Sequence, residues 1–276
     1  MRTVVLREFG GPEKLLIEDV DNPEPGPGQV RVRIRAIGLN RAEVAARAGK
    51  YPLPQALPVR LGFEASGRVD KVGREVSEFK TGDRVSVIPV GDAFAEQGTY
   101  AEYCLVPAEG LTHTPQPLSD EEAAATWMAY LTCWAALLKQ AQAQAGDIAI
   151  VTAASSSLGA PAFQVLKSEG MLSIACTRSA EKIERIFQAG AEHVIDTSSE
   201  DLAARVKEIT SGKGANLAFD PIGGPGIREI IRALAPGGKI ILYGMLDSRP
   251  MEITPWALMA KQLTIYSHII FRVDCQ

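Results

Sequence analysis

The residues best placed to do chemistry form a loop, Thr152-Ala153-Ala154-Ser155-Ser156-Ser157-Leu158-Gly159. It follows the apolar run Ile148 to Val151 and leads into helical spacing at Leu158, Ala162, Val165 and Leu166. A loop between a strand and the helix it feeds turns backbone N–H groups and the positive end of the helix dipole outward, which is what a pyrophosphate needs. Set against G-x-G-x-x-G, the glycine places are held by Ala154, Ser156 and Gly159, so only the last glycine stands, where helix and strand must approach closely. Ser156, Ser157, Leu158 and Gly159 are the candidate phosphate-binding positions, while the serines also suit helix N-caps.

A second apolar run, Met171 to Cys176, leads into Thr177-Arg178-Ser179. This is the place where an NAD site carries a carboxylate for the ribose 2′-hydroxyl. No Asp or Glu stands there. Arg178, Ser179 and Lys182 could instead surround a 2′-phosphate, because guanidinium and ammonium groups pair with its extra charge, and this favours NADPH over NADH. The plainer alternative is that Arg178 and Lys182 are exposed residues at a helix start.

Other reactive side chains are sparse. Cys104, Cys133, Cys176 and Cys275 form no Cys-x-x-Cys pair and stand beside no histidine at ligand spacing, so reduced thiols and no structural zinc are expected. His113, His193 and His268 are isolated and are assigned no chemistry. With 29 Lys and Arg against 33 Asp and Glu, and no basic block, the chain offers no electrostatic footprint for nucleic acid or an anionic membrane. The N-terminal residues reach charge before a signal-peptide apolar region could form, and no apolar run approaches membrane-spanning length, so a cytoplasmic location is expected.

The elements that must position these residues fall into two parts, and 276 residues with 46% hydrophobic content suffice for two cores. Up to residue 119 the chain reads as short strands: Val30 to Arg35 alternates at period two, with its arginines on a solvated face. Gly67 to Val72, Val85 to Ile88 and Thr99 to Val106 follow, with turn signals at Gly73, Gly82-Asp83 and Gly91-Asp92. Ser119-Asp120-Glu121-Glu122 then supplies a capping residue and an acidic first turn for an alanine-rich helix. From residue 120 onward, the runs at 148–151 and 171–176 are joined by His193 to Ile195, Leu217 to Phe219, Lys239 to Tyr243 and Leu263 to Tyr266, with helical stretches between most of them. Six strands alternating with helices predict an α/β fold built on a doubly wound parallel sheet.

The succession Gly38-Leu39-Asn40-Arg41-Ala42-Glu43, Gly62-Phe63-Glu64-Ala65-Ser66-Gly67, Gly82-Asp83-Arg84-Val85, Gly98-Thr99-Tyr100-Ala101-Glu102-Tyr103 and Ala153-Ala154-Ser155-Ser156-Ser157 resembles the zinc-free quinone oxidoreductases of the medium-chain dehydrogenase/reductase type. The resemblance spans the whole chain. It implies a GroES-like N-terminal catalytic or substrate domain over 1–119 and a Rossmann NADP-binding domain over 120–276. Zinc-dependent relatives would carry a Cys near Asn40, a His at Phe63 and a Cys around Met128, so zinc is not expected, and the structural-zinc lobe is shortened to Gly91 through Tyr103. By the same resemblance, Asn40 and Tyr51 match polar residues flanking the nicotinamide and the substrate pocket, and Thr132 and Gly244 match positions near the nicotinamide. Lys182 matches the lysine of the 2′-phosphate. Asn40 could equally cap the following helix, Tyr51 could pack the Tyr51-Pro52-Leu53-Pro54 loop, and Gly244 could serve a turn.

The resemblance further implies hydride transfer from NADPH to a quinone, or to the β-carbon of an activated alkene as an enoyl or alkenal reductase would do. A protein that binds NADPH without turnover, as a sensor, is the reading from another class. Family members continue past the sixth Rossmann strand with a helix and further strands, whereas this sequence stops at Asp274-Cys275-Gln276, so a truncated C-terminus is expected. A homodimer is expected through an edge at Ile265 to Ile270.

Overall fold

The computed structural model describes residues 1–53, 55–89 and 98–272. Pro54, the Gly91-Asp92 turn, most of the shortened lobe and Cys275 lie outside the described residues. The chain divides into two units, Met1–Met128 and Ala129–Gln276.

In the first unit, β1 (Arg2–Leu6) and β2 (Leu15–Asp19) pair antiparallel. A five-stranded antiparallel sheet follows, built from β3 (Gln29–Ile37), β4 (Ala65–Val72), β5 (Arg84–Val87), β6 (Tyr103–Pro107) and β7 (Leu111–His113) in the order β6-β3-β4-β5-β7. Alternation along β3 buries Val30 and Val32 with Val69, Val85, Cys104 and Val106, the inward half of a period-two pattern. The arginines on the other face differ among themselves. Arg33 and Arg35 are exposed as expected, but only 13% of the Arg31 side chain is, because Asp70 accepts from it at 2.7 Å, Glu24 pairs with it at 2.9 Å and the Tyr103 ring lies beneath it. The run expected from Thr99 becomes a strand only at Tyr103, since Thr99 is buried with its hydroxyl on the Glu64 carbonyl.

Among the described residues of this unit are the α-helices α1 (Arg41–Arg47) and α2 (Asp120–Ala124). The expected capping at Ser119 is present: its hydroxyl accepts the Glu122 N–H at 3.1 Å and Glu122 returns the contact to the Ser119 N–H at 2.8 Å. The helix is short, however, and a new one, α3 (Trp127–Trp134), begins beyond it and runs into a π-helical stretch, Ala135–Gln140. The expected division at 119/120 and the observed one differ by α2, which packs on β3, β4 and β5.

The second unit is a six-stranded parallel sheet of β8 (Ile148–Val151), β9 (Leu172–Thr177), β10 (His193–Asp196), β11 (Ala215–Asp220), β12 (Leu234–Leu242) and β13 (Thr264–Ser267). Its order, β10-β9-β8-β11-β12-β13, is the doubly wound 3-2-1-4-5-6 arrangement, with the direction of winding reversing between β8 and β11. Successive strand residues feed opposite faces. Val151, Ala175, Phe219 and Ile241 pack with Phe163 and Leu166 of α4 (Gly159–Ser168), whereas Ile150, Ile174, Ala218 and Ile240 pack with α6 (Leu202–Ile209) and α7 (Ile227–Ala233). Between α4 and α6 lies α5 (Ile183–Gln188), and α8 (Pro255–Met259) precedes β13. Both sheet faces are therefore covered, which is why these strands read as apolar runs rather than alternating ones.

Candidate functional site

The loop from β8 to α4 is held tightly. Its Thr152 N–H donates to the Phe219 carbonyl at 3.2 Å and its Ala154 N–H to the Cys176 carbonyl at 3.1 Å, which pins the loop over β11 and β9. Ala153 takes a left-handed φ of 47°, unusual for a side-chain-bearing residue, and turns the chain into the helix. At Gly159 the packing admits nothing larger: a Cβ would lie 1.8 Å from the Ala154 carbonyl oxygen. The helix starts at Gly159 behind Leu158 with no side-chain cap; the Gly159 N–H donates to the Ser156 carbonyl at 3.1 Å and Pro161 carries no N–H. The Ser156 hydroxyl instead shares a hydrogen bond with Tyr243, whose ring stacks on Phe219 with centroids 3.9 Å apart and whose phenol burial pushes well above the usual tyrosine range.

Past the C-terminal ends of β8, β9, β10 and β11 lies a cleft of about 1290 Å³. Ser156, Arg178, Ser179 and Lys182 all line it. Arg178 follows the last residue of β9, and Lys182 closes the short 3-10 turn Ala180–Lys182; both side chains are exposed. The Ser179 N–H donates to the Thr177 hydroxyl at 3.2 Å, fixing the turn that presents the two cations. No carboxylate occupies the end of β9. Thr132 is buried in α3, and Gly244 stands so close to Pro221 that a Cβ would meet its carbonyl oxygen at 2.8 Å; neither these two nor Ser157, Leu158 and Gly159 belong to the lining of this cleft.

Several residues of the cleft were not singled out from the sequence. Asp220 ends β11, is 1% exposed, and accepts from the Thr152 hydroxyl and from the N–H groups of Ile222 (3.2 Å) and Gly223 (2.9 Å); burial raises its carboxyl above the usual range. An acid one place beyond the apolar run 217–219 was the available clue. Asp247 and Arg249 come from the irregular loop after β12, where periodicity says nothing.

In the first unit a second cluster surrounds Asn40. Asn40 opens α1, and its side-chain amide donates to Glu64 Oε1 at 3.0 Å. Glu64 is 2% exposed and its other oxygen accepts the Met128 N–H at 2.8 Å. Glu43, 3% exposed, accepts the Asn40 N–H at 2.8 Å, the Phe63 N–H at 3.0 Å and the Tyr100 hydroxyl. Burial, opposed by these donors, pushes the Glu43 carboxyl up to about 7, and burial raises Glu64 as well. The Tyr51 ring lies 6.2 Å from that of Phe63, and burial takes its phenol up to about 12. Thus Asn40, Tyr51, Phe63 and Glu64 share one neighbourhood within this unit.

This cluster does not fit a metal ion. The positions where zinc-dependent relatives place ligands hold an amide at Asn40, a phenyl ring at Phe63 and a thioether at Met128, and the two carboxylates nearby, Glu43 and Glu64, are taken up by N–H and O–H donors. Among the described residues no group of three or more His, Cys, Asp or Glu side chains could hold a metal. No helix among them is long and apolar enough to cross a membrane.

A GroES-like β domain joined to a doubly wound sheet with a dinucleotide-type loop defines a class, and the sequence relationships agree: the chain belongs to the medium-chain dehydrogenase/reductase family of oxidoreductases. A family model described as "Alcohol dehydrogenase GroES-like domain" matches residues 26–116, and one described as "Zinc-binding dehydrogenase" matches residues 157–275. The chain is 38% identical over 236 residues to a quinone oxidoreductase of Pseudomonas aeruginosa, covering 86% of this chain and 71% of that protein. It is 35% identical over 249 residues to the human synaptic vesicle membrane protein VAT-1 homolog, covering 90% of this chain but 62%, less than two thirds, of that protein. Among solved structures, Escherichia coli quinone oxidoreductase complexed with NADPH superposes with a TM-score of 0.88 at 29% identity, covering 98% of this chain and 81% of that one. Quinone oxidoreductase from Pseudomonas syringae gives 0.87 at 33%, covering 98% and 81%.

Proposed function

We propose that this chain is an NADPH-dependent, zinc-independent quinone reductase. The observation that carries the reading is the end of β9, where Arg178, Ser179 and Lys182 line the cleft and no carboxylate stands. When bound there, NADPH supplies a hydride. The loop from 152 to 159 receives the pyrophosphate on backbone N–H groups at the start of α4, with Gly159 keeping helix and strand close. Arg178 and Lys182 neutralise the 2′-phosphate. Thr132 and Gly244 serve the nicotinamide end, and Asn40 and Tyr51 are the polar groups offered to the acceptor.

The acceptor side asks little of the protein. A quinone that takes up hydride becomes a stabilised phenolate-like anion, so water can deliver the proton, and positioning supplies most of the rate. This agrees with a cluster whose groups are a carboxamide and a phenol raised to about 12, neither of which exchanges protons readily near neutrality. Relatives named quinone oxidoreductase support the substrate class. A cytoplasmic homodimer, associating through the β13 edge, completes the proposal. The test is NADPH oxidation with a chelator present, against quinones in one series and α,β-unsaturated carbonyls in another. Chelator-resistant turnover that is fastest with quinones is expected. Turnover confined to the unsaturated carbonyls would replace the acceptor class, and NADPH binding with no turnover would replace the enzyme by a sensor.

A further inference from the structure

The loop after β12 brings Asp247 and Arg249 into the wall of the same cleft that holds Arg178 and Lys182. That loop is tied to the neighbouring one: the Leu246 N–H donates to the Pro221 carbonyl at 3.0 Å and the Asp247 N–H to the Ile222 carbonyl at 2.9 Å. From this base Asp247 grips Arg249. Its Oδ1 accepts the Arg249 backbone N–H at 3.1 Å and Nε at 3.0 Å, and its Oδ2 accepts Nη2 at 2.6 Å. The carboxylate is part of the wall, with 23% of its side chain exposed, while 72% of the Arg249 side chain is exposed. Across the neighbouring loop, Gly224 makes room for the acid: a Cβ there would meet Asp247 Cγ at 2.6 Å. The Arg249 guanidinium, and after it the Arg178 charge, hold the Asp247 carboxyl down at about 2, so the acid is ionised at any working pH.

A guanidinium fork binds a carboxylate and a phosphate through the same N–H groups. Resting on the NADPH reading above, we propose that Asp247 is a built-in competitor for phosphate: it occupies the fork of Arg249 and opposes anions at Arg178, and so sets how tightly the cleft takes a 2′-phosphorylated adenosine. Arg249 is a further cation of the site, held in reserve by Asp247. When a phosphate arrives, the guanidinium turns from carboxylate to ligand, and the affinity is the difference between two similar contacts rather than the whole of one.

Asp247→Asn tests this with little change of shape, because the Asn oxygen still accepts the Arg249 N–H. Titration calorimetry of the full chain would use adenosine 2′,5′-bisphosphate, NADPH and NADH. Removing one negative charge at this range should tighten the bisphosphate and NADPH about three- to tenfold, with a smaller effect on NADH. Arg249→Ala should weaken both phosphorylated ligands. Glu252→Gln makes the same change in net charge at an acid paired with Arg228 outside the cleft lining, and should leave the affinities as they are. If the wild-type chain binds the bisphosphate but Asp247→Asn, folded with an unchanged melting temperature, binds it no more tightly, the competitor role is wrong while the cofactor reading stands. A wild-type chain that binds no bisphosphate overturns the cofactor reading itself.

Discussion

A Cβ placed on Gly159 would sit 1.8 Å from the carbonyl oxygen of Ala154, so helix α4 meets the loop that precedes it with no space for a side chain. The clash is with backbone, which cannot rotate away. Gly159→Ala should therefore shift the loop or lower stability by roughly 1–3 kcal/mol. Thermal unfolding and NADPH titration measure the two effects together. Gly226→Ala is the control for melting alone, since nothing lies within 4 Å of a Cβ there and its φ is not left-handed, although the residue lines the cleft; a Gly159→Ala protein with unchanged melting and binding would contradict the close packing.

Arg178 and Lys182 are exposed in the cleft, so their removal should cost binding rather than folding. Arg178→Ala and Lys182→Ala should each weaken NADPH roughly tenfold or more, the loss of a charge-assisted contact, while NADH changes little. Raising the salt concentration should erode NADPH binding faster than NADH binding. Equal losses for both dinucleotides would place these residues away from the 2′-phosphate.

Glu43 gives the first unit a pH dependence of definite sign. Its folded carboxyl titrates at about 7 against 4.5 for the unfolded chain, because burial outweighs its three donors. The folded state thus holds the extra proton between those values. Stability contributed by the protonated form is fully present below about pH 4.5, falls as pH rises through that window, and levels off above 7, by a sum on the order of 3 kcal/mol. Glu64 and Asp220, also raised, act in the same direction. Urea unfolding at pH 5 and pH 7.5 should show the decline, and Glu43→Gln should flatten it. An unchanged slope in that variant would mean that Glu43 is not the group responsible.

Tyr51→Phe keeps the ring beside Phe63 and removes the hydroxyl. Because water can protonate the reduced quinone, kcat should fall only modestly and NADPH affinity should hold. A complete loss of turnover with intact NADPH binding would mark Tyr51 as a proton donor.

Much of the second unit was legible because a sheet covered on both faces leaves each strand as an apolar run, and all six runs became strands. The acid missing after Cys176 could be read for a similar reason: its place is set by the end of a strand. The first unit was harder. β1, β2 and β7 lack a distinct pattern, and Thr99 looked like strand although its hydroxyl is drawn under Glu64. Arg31 showed the limit of alternation, since its partners Asp70 and Glu24 come from elsewhere in the chain. The same holds for the sites. Asp247, Arg249 and the Glu43–Tyr100 contact depend on loops meeting in space, which no spacing rule encodes.

The most direct test of the central claim is kcat/KM for NADPH against NADH, with a single quinone acceptor and a chelator present. The account predicts at least a tenfold preference for NADPH that survives the chelator and collapses in Arg178→Ala. Equal use of the two dinucleotides, or a preference for NADH, would contradict it.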